Sequence, residues 1–210
     1  MNKIDKYIVP IGLFTSVLLL VIATLNYPGG SIHDVNAAGY SWTDNYISNL
    51  LSYNALNGMP NSARPFAVAG AVLMGVVTGL AFLRFAYKVN IKQYSVVIKY
   101  VSFLLIIFSV LITIPSQHDL MVTLGSISTL IIFVYITILL IKSKLTGLKV
   151  ISIAFLAFFY GTTYMYFTRT GLDFLPSAQK LIHLLQIIWL LGLEYFTNAD
   201  DFQAERQRVS

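Results

Sequence analysis

Cysteine is absent from the 210 residues. That excludes disulfides, a thiolate nucleophile and Cys-ligated zinc or iron–sulfur clusters. Charge is almost as scarce. Charged residues make up 11% of the chain and hydrophobic residues 57%, whereas a soluble domain carries about 25% charged residues. With a mean hydropathy of +0.73, the chain belongs to the membrane class before any segment is read. Its net charge of +5 does not point to nucleic acid, because the basic residues fall in short segments between apolar runs, where charge sets topology. Gly-rich phosphate loops and Gly-x-Ser-x-Gly elbows are missing too. The first five runs have neither a charge nor a Gly/Pro break at mid-length, which argues against an ion-coupled transporter.

Six apolar runs are present, at residues 8–27, 65–87, 95–114, 120–141, 150–167 and 178–196. Each is close to the roughly 20 residues that cross about 30 Å of hydrocarbon. Backbone groups in lipid must be satisfied within their own segment, so these are helices. The first run is too long for a cleavable signal, and no small-residue cleavage site follows it.

Lys3, Lys6, Arg84, Lys88, Lys92, Lys99, Lys142, Lys144, Lys149, Arg206 and Arg208 lie on one side of this arrangement, and Arg64, Arg169 and Lys180 on the other. Eleven cations against three place both termini in the cytoplasm. The fold expected is all-α: an integral membrane bundle of six transmembrane helices over residues 1–197, N-in and C-in, with a cytoplasmic tail at 198–210. One long extracytoplasmic loop, residues 28–64, joins helices one and two. A prokaryotic cytoplasmic membrane is the expected location.

Local chemistry marks the helix starts. Pro65 suits the first turn of helix two. Ser116-Gln117-His118-Asp119 matches a capping box before helix four, and Ser177 is a candidate N-cap for helix six. Ala67, Ala71, Gly75 and Gly79 recur every four residues on helix two. Such a stripe admits close approach of another helix, within the bundle or as a dimer seam through Gly75 and Gly79. Tyr160, Tyr164, Tyr166 and Phe167 form an interfacial aromatic belt.

Polar residues concentrate at the outer side. His33 lies in the long loop, His118 at the mouth of helix four, and His183 roughly 8 Å down helix six at 1.5 Å per residue. Asp34, Asp44, Asp119 and Asp173 share that side. Gln179, His183, Gln186, Leu190 and Glu194 follow spacings of four, three, four and four, so they share one helix face. Lipid exposure of such a face is costly, so it should point into the bundle.

Three functions fit these residues. In a metal-dependent hydrolase or transferase, His33, His118 and His183 would hold zinc beside Asp119 or Asp44, although no pair shows His-x-x-x-His spacing. In a metal-free binder, a lipid headgroup would meet His33, Asp34, Asp44, Arg64, Gln179 and Gln186, with Arg64 or Arg169 on a phosphate. In a structural or partner-binding subunit, the same residues only cap helices and coat the interface. Catalytic candidates are His118 and His183 as base or ligand, and Asp119 as orienting group. Ser31-Ile32-His33-Asp34 and Ser116-Gln117-His118-Asp119 share one pattern, which fits a pair of caps or a paired site. No cofactor is expected beyond the zinc of the first reading.

Tyr46-Ile47-Ser48-Asn49-Leu50, then Asn57-Gly58-Met59-Pro60-Asn61-Ser62-Ala63-Arg64-Pro65 and a Gly/Ala-rich helix, resembles the bacterial and archaeal six-helix family known as domain of unknown function 998. Pro115-Ser116-Gln117-His118-Asp119 and Gln179-Lys180 are similar to its approaches to helices four and six. The family motif reads Ile-Ser-Asp-Leu-Gly where this chain has Asn49-Leu50-Leu51. The resemblance implies a six-helix membrane fold without a settled activity. The family is distantly similar to the damage-regulated autophagy modulator membrane proteins, which implies a tilt towards lipids.

Overall fold

The apolar runs fold as helices whose ends are set by backbone chemistry. In the computed structural model, which describes residues 5–209, the long helices are α1 (Ile8–Leu25), α2 (Arg64–Val89), α3 (Lys92–Leu111), α4 (His118–Ile141), α5 (Thr146–Thr168) and α6 (Leu175–Phe196), followed by a short α7 (Gln203–Val209). Lys3, counted above among the cations of one side, lies outside the described residues. The chain is an all-α bundle. Among the described residues, five stretches are long and apolar enough to cross a membrane. A sixth is reached only when α6 and residues 199–208, bent by 97° at their junction, are taken as one. α6 falls short by itself because Gln179, Lys180, His183, Gln186 and Glu194 dilute it.

Several ends depart from expectation. α3 stops at Leu111 because Ile114 precedes Pro115 and is forced into extended backbone. α2 runs on to Val89 and ends at Asn90 in the left-handed region (φ 49°), a C-cap that Asn tolerates. α6 begins a turn early, with Pro176 in its first turn. Both connections at the tail end of the bundle therefore shrink to two and four residues. The two capping boxes are replaced by other structures. Residues 115–117 form a 3-10 turn with Gln117, not Ser116, directly before α4. The Ser31 hydroxyl accepts the Asp34 N–H (3.0 Å) in a loop turn. Ser177 donates to the Thr43 carbonyl (3.4 Å).

Each long helix packs on the next in sequence, and α6 returns against α2 and α1. The small-residue stripe of α2 is taken up inside the chain. A Cβ on Gly75 would overlap Ser109 of α3, and one on Gly79 would reach Ile106 and the Ser102 carbonyl. A second copy docking through Gly75 and Gly79 would have to displace α3. On α1, Ser16 donates to the Gly70 carbonyl (2.7 Å).

The core is lopsided. Phe82, Phe133, Phe155 and Trp189 interlock with ring centroids 4.3–6.0 Å apart, and the Trp189 indole donates to Ser152 Oγ (2.6 Å). Along α3 and α5, the buried positions are Ser95, Ile98 and Ser102, and Leu148, Ser152 and Phe155. Both sets lie in the half nearer the termini. At the other end, residues 26–63 fold over the bundle as a cap.

Candidate functional site

The cap is organised by asparagines. Asn61 Nδ2 approaches the carbonyls of Asn49 (3.3 Å), Leu50 (3.1 Å) and Ser52 (2.9 Å), while its Oδ1 accepts the Ala63 N–H (3.1 Å). Asn45 is fully buried. It donates to the Gly30 carbonyl (2.9 Å) and accepts the Ser41 N–H (2.9 Å). Asn49 accepts the Tyr46 N–H (2.7 Å). These side chains satisfy backbone groups that an irregular segment cannot pair by itself. At Gly29 (φ 140°) and Gly30 (φ 86°) a Cβ would also strike the Ala37 carbonyl or the Asn57 backbone, so the cap's first turn requires glycine.

α6 fastens the cap from below. The Ile47 N–H donates to Gln179 Oε1 (2.8 Å). Lys180 Nζ donates to the carbonyls of Asn45 (2.6 Å) and Pro176 (3.0 Å), and lies 5.4 Å from the Tyr40 ring centroid. The other end of the α6 polar face grips α2. Gln186 Nε2 donates to Thr78 Oγ1 (3.2 Å), and Glu194 is paired with Arg84. The stripe does face the bundle, where it forms a seam.

Between the cap and the α3–α4 corner lies a cleft of about 320 Å³. Ser48, Asn49, Leu51 and Ser52 form its cap wall; Ile112, Thr113, Pro115, Ser116, His118, Asp119 and Leu120 form the other. His118 Nδ1 lies 3.3 Å from Asp119 Oδ1, and the Tyr166 hydroxyl lies 3.4 Å from the same oxygen. Arg64 joins the two walls. Its Nε donates to the Leu51 carbonyl (3.0 Å), its Nη2 to the Thr113 carbonyl (3.4 Å), and its Cζ lies 4.2 Å from the Tyr53 ring centroid.

The candidates named from sequence thus divide. His118 and Asp119 line the cleft and Arg64 braces it. His33 is elsewhere, with Nε2 3.8 Å from Asp173 Oδ1 over the α5–α6 turn. Asp34 Oδ1 accepts the Asn36 N–H (2.9 Å). The Ser41 hydroxyl donates to Asp44 Oδ2 (2.7 Å) and holds this exposed carboxyl below its usual range. Burial pushes the Tyr40 hydroxyl well above its ordinary value. Gln179 and Gln186 belong to the α6 seam, and His183 lies between them on the same helix. Among the described residues no three His, Asp or Glu side chains come together to hold a metal ion, so the expected gathering of His33, His118 and His183 is not formed.

The serines and asparagines of residues 45–61 were missed as site residues. The signal was present: five asparagines in seventeen positions is a density suited to irregular backbone. No protein family, curated protein or solved structure matches this chain.

Proposed function

We propose that the protein spans the membrane six times with both termini in the cytoplasm, and binds a lipid-like molecule of the outer leaflet in the cleft beneath the cap. The kinship to the domain of unknown function 998 family, through Tyr46–Leu50, Asn57–Pro65 and Pro115–Asp119, belongs to the same proposal. The carrying observation is the mixed lining of the cleft. Ser48, Asn49, Ser52, Ser116, His118 and Asp119 offer donors and acceptors, and Leu51, Ile112 and Leu120 offer apolar surface. Pockets that orient a ligand with a few polar groups on an apolar wall are the common form of small-molecule site. Depth agrees with it, since the cleft opens at the cap ends of α3 and α4, where headgroups would lie.

A silent structural role is the second reading. It draws on the use of Arg64, Asp44, Gln179 and Gln186 as ties within the chain. One experiment separates the two. Protein extracted in mild detergent is washed, and its retained lipid is quantified by mass spectrometry for wild type, His118→Ala and Ser116→Trp. Binding in the cleft predicts near-stoichiometric lipid in wild type and a loss of about five- to tenfold in each variant, the effect of one or two lost polar contacts. Equal lipid in all three proteins would leave the structural role.

A further inference from the structure

The lining of the cleft holds one carboxylate and, among the described residues, no lysine or arginine. Arg64 braces the walls through the Leu51 and Thr113 carbonyls and stands outside the lining. The Asp119 side chain is 85% exposed, and an ionised carboxylate only accepts. Its Oδ1 is shared by His118 Nδ1 and the Tyr166 hydroxyl, so Oδ2 is the oxygen left to a ligand. With a carboxylate at Nδ1, the neutral His118 ring keeps its proton there and offers Nε2 as a second acceptor. The cap wall supplies a donor. Asn49 Oδ1 accepts the Tyr46 N–H (2.7 Å), which fixes the amide and leaves Nδ2 to donate. The hydroxyls of Ser48, Ser52 and Ser116 in the same lining can do either.

We infer that the cleft takes the uncharged, hydroxyl-rich headgroup of a glycolipid, a single sugar ring whose hydroxyls donate to Asp119 and His118 and accept from Asn49. This rests on the lipid-binding reading above. Every sugar hydroxyl is both donor and acceptor, so a sugar can use a fixed donor on one wall and fixed acceptors on the other. Hydroxyl-to-carboxylate bonds are of the stronger, charge-assisted kind. A phosphate-bearing headgroup would bring a negative group to a lining whose carboxylate has the same sign, and desolvating an unpaired charge is costly. The ammonium of a zwitterion could use Asp119, but its phosphate would still meet no lysine or arginine in the lining. A cleft of about 320 Å³ lies at the small end of ligand sites, which suits one ring rather than a chain of sugars. Leu51, Ile112 and Leu120 add apolar wall, which favours a lipid-borne sugar over a free one.

The test is competition in nanodiscs, with protein purified in a detergent that has no sugar headgroup. Monoglucosyl diacylglycerol, phosphatidylethanolamine and phosphatidylglycerol are supplied at equal mole fraction, and bound lipid is read by native mass spectrometry. Wild type should retain the glycolipid over each phospholipid by about fivefold, the scale of one polar contact. Asn49→Asp keeps an acceptor for the Tyr46 N–H but removes the donor, and it should cancel that preference. Asp119→Asn keeps the shape of the helical wall but removes the charge-assisted acceptor, and glycolipid retention should fall by about fivefold. Free methyl glucoside in molar excess should not displace the glycolipid; displacement would overturn the lipid-borne assignment in favour of a soluble sugar. Equal retention of all three lipids, a phospholipid preference in wild type, or a glycolipid preference untouched by both variants overturns the glycolipid assignment while leaving lipid binding intact. Absence of any retained lipid from wild type overturns both.

Discussion

The guanidinium of Arg84 on α2 clasps the carboxylate of Glu194 on α6. Nη2 lies 2.5 Å and Nε 3.0 Å from Oε1, and Nε is 3.3 Å from Oε2. The Glu194 side chain is only 5% exposed and that of Arg84 20%. Lys88 closes the group by donating to the carbonyls of Leu193 and Glu194. Removing one member of such a pair leaves a desolvated charge, at a cost of about 3–5 kcal/mol, whereas replacing both by apolar groups is often near neutral. Glu194→Ala should therefore lower stability by about 3 kcal/mol, the low end, because Arg84 retains some water. Arg84→Met with Glu194→Leu should recover most of that loss. Thermal unfolding in detergent reads both, and a single variant as stable as wild type would mean that water already solvates the pair.

Asn61 offers a comparable test in the cap. Its amide approaches three carbonyls and accepts one N–H, beside the buried Leu50 and Ala63. Asn61→Ala leaves those groups without a partner, at about 1–3 kcal/mol for an unsatisfied buried group. The damage should stay local, because the cap's apolar cluster, which takes in Ala23 of α1 and Ala67 of α2, is separate from the main core. Hydrogen exchange of residues 47–56 should speed up by about tenfold or more while the amides of α2 and α4 keep their rates. Acceleration throughout the chain would show instead that the cap nucleates the bundle.

How much of this was legible in the sequence follows from what each feature depends on. The long apolar helices were legible because hydrocarbon imposes length and apolarity on each segment separately. The inward polar face of α6 was legible because helical spacing is local. Its partners Thr78, Arg84 and Lys88 were not, since they lie more than 100 residues away in the chain. The histidines mark the limit. Chain order places His33, His118 and His183 towards the cap end of the bundle, which fixes height but not position around the bundle. Helix packing decides the latter, and it sends His33 to Asp173 and His118 to the cleft, with His183 apart from both on α6. The capping boxes failed for a related reason: Pro115 and the cap chain claimed the residues that would have capped.

Two glycines should respond in opposite ways to the same substitution. A Cβ on Gly75 would enter the space of Ser109, and α2 and α3 would have to separate. Gly75→Ala should cost about 1–3 kcal/mol, the usual penalty of overpacking. At Gly125 on α4 a Cβ meets nothing within 4 Å. Gly125→Ala should gain up to about 1 kcal/mol from helix propensity. Unfolding temperatures in one detergent would check both. A stabilised Gly75→Ala would refute the close α2–α3 contact.

The tail makes the last prediction, in its response to pH. Lys142 Nζ lies 2.5 Å from Glu205 Oε1 and 2.9 Å from the Tyr94 hydroxyl, which is itself 3.2 Å from the same carboxylate oxygen. Phe202 packs edge-on against Phe85, and Arg206 Nη2 donates to the Val89 carbonyl (2.8 Å). The Lys142 ammonium holds the Glu205 carboxyl below its ordinary value of 4.5, and Glu205 with Tyr94 holds Lys142 above its ordinary 10.5. A depressed carboxyl adds stability that is complete above its unfolded value and lost as pH falls through its folded one. A raised amine adds stability that is complete below its unfolded value and lost as pH rises through its folded one. Docking of α7 should therefore be flat between about pH 5 and 10 and weaken on both sides. The cysteine-free sequence allows a single spin label through Ala204→Cys, at an exposed position. The label should be slow at pH 7 and gain a mobile fraction below about pH 4.5. In a Glu205→Gln background that acid response should vanish, and some mobility should already be present at pH 7. A label equally slow at pH 3 and pH 7 would assign tail docking to Phe202 and Arg206 alone.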